Sequence, residues 1–154
     1  FLVASAASAK LPIISAEQLL ANIRGAYILI GNDYEIQLIM NNTGRSKKEL
    51  ASLTTKGVVT TLGEKGSLVM EKENDGEKTV AAVPVSKVVD PTGAGDAYRS
   101  GLIKGLLLGQ SLVEAACLGA TCAAFCIECP GTQGHDFTLD DFFLRHSKTF
   151  GSSL

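Results

Sequence analysis

Val88-Val89-Asp90-Pro91-Thr92-Gly93-Ala94-Gly95-Asp96-Ala97-Tyr98-Arg99 is the stretch on which the reading of this chain turns. Two β-branched residues suit the end of a strand, Pro91 and two glycines turn the backbone, and an apolar-periodic run starts at Ala97. Strand, Gly-rich loop and helix N-terminus in succession free the N–H groups of Gly93, Ala94 and Gly95 to face an anion, and the helix dipole adds to the attraction. A larger side chain at these positions would hold a phosphate away from the donors. Asp96 favours a helix N-terminus but repels a phosphate, unless it is placed to take a proton from an attacking hydroxyl. An anion-holding loop beside a carboxylate base suits phosphoryl transfer to an alcohol.

Outward from this stretch, strands alternate with helices. Before it come a strand at Phe1–Ala4, a helix opened by Ser15 with Gln18 at capping-box spacing, a buried strand at Tyr27–Ile30, and helical runs at Ile36–Met40 and Ser46–Leu53. Val58–Leu62 and Ser67–Glu71 read as strands joined by the turn Gly63-Glu64-Lys65-Gly66, and Thr79–Val83 and Val85–Val89 as strands around Pro84. After it come an apolar helix over Ala97–Leu108, a second opened by Ser111 and Glu114 and running to about Ile127, and a third from Thr138 through Arg145. The pattern predicts an α/β fold with a mostly parallel sheet and its site at the carboxyl ends of the strands.

The 154 residues predict a single domain, 1–154. A net charge of −2 without a basic block argues against nucleic acid as partner, and no apolar run has the length to span a membrane. Cys122, Cys126 and Cys129 follow helical spacing among Ala and Phe, and Cys117 precedes them. A zinc site would need His135 as fourth ligand, but structural zinc sites draw ligands from separate short segments, so free thiols in a core helix are the preferred reading. Free thiols without a secretion signal predict a reducing, cytoplasmic setting.

Asp90–Asp96 resembles the D-[TP]-T-G-A-G-D signature of the PfkB, or ribokinase-like, sugar and nucleoside kinases, and its continuation Asp-Ala-Tyr-Arg-Ser-Gly is most similar to bacterial adenosine-kinase-like members. No G-x-x-x-x-G-K-[ST] is present, and Gly93-x-Gly95 lacks the third glycine of a dinucleotide fingerprint. Asn32-x-x-Glu35 is similar to the family's N-x-x-E motif, and Thr61-Leu-Gly63-Glu-Lys-Gly66 to its T-L-G-x-x-G segment.

The resemblance implies a ribokinase-like three-layer sandwich of which this chain carries the C-terminal, nucleotide-binding part, without the N-terminal half and its lid. It implies an ATP-dependent kinase moving the γ-phosphate to a hydroxymethyl group of a sugar or nucleoside, with Asp96 as base and Gly93-Ala94-Gly95 as anion hole. It places Thr61, Gly63, Gly66 and Thr92 at the nucleotide, and Asn32 and Glu35 at Mg2+ through water. Asp90 and Thr92, with carbonyls near Cys126, Cys129, Gly131 and His135, fall at a monovalent-cation site, K+ being the candidate. A homodimer through the lid is a further implication. The alternative is a non-catalytic remnant or partner-binding module with the same fold. Gly119 stands where some relatives place a purine-contacting Asn.

Overall fold

A computed structural model describes residues 3–5 and 14–151. The chain divides into two units, the first running to Leu62 and including Ser67–Thr79, the second taking Gly63–Gly66 and the chain from Val80 onward.

In the first unit the elements are β1 (Val3–Ser5), α1 (Ala16–Ile23), β2 (Ile28–Asn32), α2 (Asp33–Thr43), α3 (Lys47–Leu53), β3 (Gly57–Thr61), β4 (Ser67–Glu71) and all but the last residue of β5 (Glu77–Val80). The sheet order is β1-β2-β3-β4-β5. β1, β2 and β3 run parallel, because helices return the chain between them, and the short link after Thr61 makes β4 antiparallel to β3. Ser15–Gln18, Asn32–Glu35 and Ser46–Glu49 each form a complete capping box, so every helix start in this unit is set by a local pair. Leu19, Ile23, Ile36, Ile39 and Leu50 from the helices pack with Leu29, Val58 and Met70 from one sheet face. Ile28, Ile30, Val59 and Val69 are buried as well, so β2 and β3 have no solvated side.

The second unit holds α4 (Ala94–Leu107), α5 (Leu112–Ile127) and α6 (Leu139–Phe150). α4 and α5 approach backbone to backbone. A Cβ on Gly101 would lie 2.6 Å from the Leu118 carbonyl oxygen, and one on Gly119 would lie 2.7 Å from that of Tyr98. Ser111–Glu114 and Thr138–Asp141 cap α5 and α6. α6 sets Phe142 and His146 against the chain around Phe125 and Phe137, with the Phe125 and Phe137 ring centroids 4.4 Å apart. His146 is buried with its Nδ1 3.1 Å from the Thr121 Oγ1, which donates to the Cys117 carbonyl, and burial holds the imidazole pKa below its usual value.

The structure corrects the sequence expectation in three places. The strand expected at Thr79–Val83 is β5, which spans Glu77–Val80 and stops at Val80, and the one expected at Val85–Val89 is not a strand: the chain from Ala81 to Val89 is irregular. Its hydrogen bonds go elsewhere, with Val89 and Asp90 N–H both donating to the Ile127 carbonyl at 2.7 and 3.2 Å. α4 begins at Ala94 rather than Ala97, and its last turn is not buried all round, since Leu107 and Leu108 are exposed. α6 continues past Arg145 to Phe150. Residues 1 and 2 of the first expected strand lie outside the described residues. No helix among the described residues is long and apolar enough to cross a membrane.

Candidate functional site

Gly93 is the N-cap of α4 in the left-handed region, φ 87°, and a Cβ there would meet Thr132 at 3.0 Å, so both conformation and space select glycine. Its carbonyl accepts the Asp96 N–H at 3.0 Å and the Ala97 N–H at 2.9 Å, which starts the helix. The Ala94 N–H turns back to the Pro91 carbonyl at 3.2 Å, whereas among the described residues no backbone acceptor takes the N–H of Gly93 or Gly95. Two of the three expected anion donors are therefore open, at the positive end of a 14-residue helix. One residue on, Asp96 is 83% exposed at its side chain and ion-pairs with Arg99, Nη1 to Oδ1 2.8 Å. Arg99 lies beside Gly95, and its Nε is buried without a hydrogen-bond partner among the described residues.

The loop before α4 is held from the far end of α5. Asp90 accepts the Thr92 N–H on Oδ1 at 2.9 Å and the Gly131 N–H on Oδ2 at 3.0 Å. The hydrogen bonds from Thr92, and then that from Gly131, lower its pKa and keep it an acceptor rather than a second base. The buried Cys126 thiol faces the carbonyl oxygens of Thr92 and Thr132 at 3.8 and 3.9 Å. Thr132 was not singled out by sequence reasoning.

A second anchor was also missed. Glu128, at the end of α5, takes both Arg145 Nη groups at 2.8 and 2.7 Å and receives the Ser86 N–H at 2.8 Å. Arg145 also donates to the Pro84 carbonyl at 3.2 Å and lies 4.6 Å from the Phe125 ring centroid. The Arg145 hydrogen bonds hold Glu128 at about 2, well below the usual carboxylate range. The one sequence signal was an acid at a helix C-terminus, where the dipole disfavours it unless a cation is paired with it.

In the first unit Asn32 ends β2 and caps α2. Its Oδ1 accepts the Glu35 N–H at 2.8 Å, and Glu35 Oε2 accepts the Asn32 N–H at 2.9 Å. Glu35 is buried, so the pair is a rigid capping box at the carboxyl end of a parallel strand. Asn32 pairs in register with Thr61 on β3, whose Oγ1 donates to the Gly31 carbonyl at 3.5 Å.

In the second unit, Gly63 opens a short 3-10 turn. Gly66 closes it at φ 85°, and a Cβ there would meet the Val80 carbonyl oxygen at 2.1 Å.

Of the remaining candidates, Cys129 donates its N–H to the Cys126 carbonyl at 3.2 Å, and His135 stacks 6.0 Å from Phe137 with its Nδ1 buried and without a partner among the described residues. All four cysteines are free, and burial raises Cys117 and Cys122 to about 11. Among the described residues no group of three or more His, Cys, Asp or Glu is arranged to hold a metal ion. Gly119 packs against Tyr98, and a Cβ there would lie 2.7 Å from the Tyr98 carbonyl oxygen, which leaves no room for a side chain.

The chain matches the pfkB family carbohydrate kinases over residues 5–137. The chain belongs to that family. It is 31% identical over 138 residues to the nucleoside kinase of Methanocaldococcus jannaschii, covering 90% of this chain and 45% of that protein. It also resembles the Burkholderia thailandensis nucleoside kinase solved with inosine, at TM-score 0.86 and 33% identity, covering 94% of this chain and 47% of the other. The solved M. jannaschii enzyme, an archaeal member of the ribokinase family, gives TM-score 0.86 and 29% identity over 95% of this chain and 48% of the other. The fold is the ribokinase-like α/β fold, and the chain spans about half the length of these relatives.

Proposed function

We propose that this chain is the nucleotide-handling part of a kinase that transfers the γ-phosphate of ATP to the hydroxymethyl group of a nucleoside. The carrying observation is the start of α4, where two open backbone donors at Gly93 and Gly95 precede the Asp96 carboxylate by one turn or less. Family membership and the likeness to two nucleoside kinases support the class of acceptor.

In this reading the acceptor oxygen attacks the γ-phosphorus while Asp96 takes its proton. The bond from phosphorus to the ADP oxygen breaks, and the Gly93 and Gly95 N–H groups hold the negative oxygens of the group in transit. Arg99 holds the base in place before the phosphate arrives. Thr61, Gly63, Gly66 and Thr92 are the candidate nucleotide contacts.

Mg2+ would neutralise the phosphates. One buried carboxylate already bonded to the Asn32 N–H suits an ion that keeps its waters, so Asn32 and Glu35 would act on it through water. The Thr92 and Thr132 carbonyls converge on Cys126, and with Asp90 they offer oxygen donors of the kind K+ takes.

The test is calorimetric titration of the chain with Mg·ATP, with and without Gly93→Val, followed by a labelled-phosphate transfer assay with inosine and adenosine. Weak Mg·ATP binding that Gly93→Val removes supports the reading. A chain with no affinity for the nucleotide would favour the partner-binding alternative. The described residues offer no second polar set to orient an alcohol, and orientation is worth on the order of 7–11 kcal/mol of such barriers, so transfer by the chain alone should be negligible.

A further inference from the structure

Asp96 poses an electrostatic difficulty for its own site. A carboxylate directly after Gly95 repels the phosphate that the Gly93 and Gly95 N–H groups are placed to hold. Arg99 answers that repulsion, its Nη1 donating to the Asp96 Oδ1 at 2.8 Å. In an ordinary acid–base pair three residues apart on a helix, both side chains reach into water and the attraction is weak. Here the Arg99 side chain is 29% exposed against 83% for Asp96, and the Arg99 Nε is buried without a hydrogen-bond partner among the described residues. The cation is largely shielded from solvent, and only part of its donor fork is committed to the base.

Gly95 supplies the second observation. A Cβ on Gly101, Gly105 or Gly119 would come within 2.7 Å of a backbone atom of the facing helix, so the packing of α4 on α5 requires glycine at each. Gly95 has no such reason. Its φ is not in the left-handed region, and the nearest atoms a Cβ would meet are Arg99 Nη1 and Cζ, at the ordinary contact distances of 3.6 and 4.0 Å. Glycine weakens a helix relative to alanine, so its presence without a packing or conformational cause points to something outside the fold that must approach the backbone closely. The group that flanks this bare stretch of backbone is the Arg99 guanidinium.

We propose that Arg99 is itself a catalytic residue of the transfer: Nη1 holds Asp96, and the remaining guanidinium donors bind the transferring phosphoryl group beside the Cα of Gly95. The inference rests on the phosphoryl-transfer reading given above and adds a side chain to it. The planar fork of an arginine can serve a carboxylate and a phosphate together, which a lysine cannot do with the same geometry. Arg99 forms no covalent bond and keeps all its protons. The alcohol proton goes to Asp96, the phosphoryl group passes from the ADP oxygen to the alcohol oxygen, and the guanidinium balances the charge of both neighbours throughout. The ion pair thus lets a base and an anion site stand side by side.

The experiment titrates the chain calorimetrically with Mg·ATP and with Mg·ADP, which lacks the phosphate in question. Arg99→Gln should weaken Mg·ATP by about tenfold or more and leave Mg·ADP within about twofold, the loss expected for a hydrogen bond to a charged group. Arg99→Lys, which keeps the charge without the fork, should recover part of the loss. Gly95→Ala should be at least as stable as the parent in urea, because alanine favours a helix, and should still lose the preference for ATP over ADP. That variant keeps the test open if Arg99→Gln does not fold. Equal losses for the two nucleotides, or none, would overturn the role of Arg99 and leave the phosphoryl-transfer reading intact. So would a Gly95→Ala chain with the parent's full preference for ATP. A parent chain that binds neither nucleotide would overturn both.

Discussion

The Asn32–Glu35 corner and the Asp90–Asp96 loop are both candidate catalytic elements, yet they are held in opposite ways. The corner is local: two residues three apart satisfy each other's backbone N–H groups, and the strand before them is buried on both faces. The loop is tied across the sequence, by Gly131 41 residues from Asp90 and by Cys126 34 residues from Thr92, and the segment leading into it by Glu128 42 residues from Ser86. A corner made by neighbours forms as soon as the helix does, whereas a loop made by distant partners has its shape only when α5 and α6 are in place. Substitutions far in sequence should therefore disturb the loop and leave the corner alone.

The largest expected effect is chemical. In the active kinase Asp96→Asn should lower kcat by roughly 10²–10⁴-fold while sparing ATP affinity, as removal of a general base does. Turnover unchanged within error would remove Asp96 from its assigned role, and the comparison would then concern two structural elements only.

Next comes the distant anchor. Arg145→Ala strips a partly buried carboxylate of its charged partner and should cost about 1.5–3 kcal/mol in urea unfolding, the range for hydrogen bonds to charged groups. Limited proteolysis should cut between Ala81 and Asp90 faster, with no change at the first-unit helices. The pH dependence has a definite sign. Glu128 is depressed from 4.5 to about 2, so its contribution is complete above pH 4.5 and fades as pH falls from there toward about 2. Arg145→Ala should flatten the acid limb of the stability curve over that window. An identical acid limb in parent and variant would show that the pair does not hold the loop.

Gly93→Ala should cost about 1–2 kcal/mol, because a side chain in the left-handed region is strained and here also meets Thr132. Equal stability of the two proteins in urea would mean that the loop adapts, and the contrast with the rigid corner would shrink.

The smallest effect is expected at the corner. Asn32→Ala should cost about 1 kcal/mol as a lost cap and raise exchange rates only in the first turn of α2. If Glu35 also organises Mg2+, Glu35→Gln should raise the magnesium needed for half-maximal rate. Superimposable titrations would leave the pair as a cap alone.

Legibility followed the same division. Ser15–Gln18, Asn32–Glu35, Ser111–Glu114 and the turn between Thr61 and Ser67 could be read from the chain because each depends on residues within a few positions. So could the glycine loop, whose residue types are demanded by backbone conformation, and the family assignment that it carried. The segment 81–89 was misread because Val85, Val88 and Val89 have strand propensity, and propensity does not say whether a partner strand exists. Its hydrogen bonds were taken instead by Ile127 and Glu128.

What the sequence determined by itself was therefore the local grammar: where helices start, where the chain turns, and which residue types can cradle an anion, since short-range sterics and capping act within one turn. What only the tertiary structure decided was which groups were already occupied. It showed that Thr132 closes on Gly93, that Arg145 holds Glu128 and the Pro84 carbonyl in the segment before the loop, and that Gly119 packs on Tyr98 with no room for a side chain. Those facts depend on contacts between residues tens of positions apart, and an N–H or a carboxylate has the same appearance in a sequence whether or not a distant partner has claimed it.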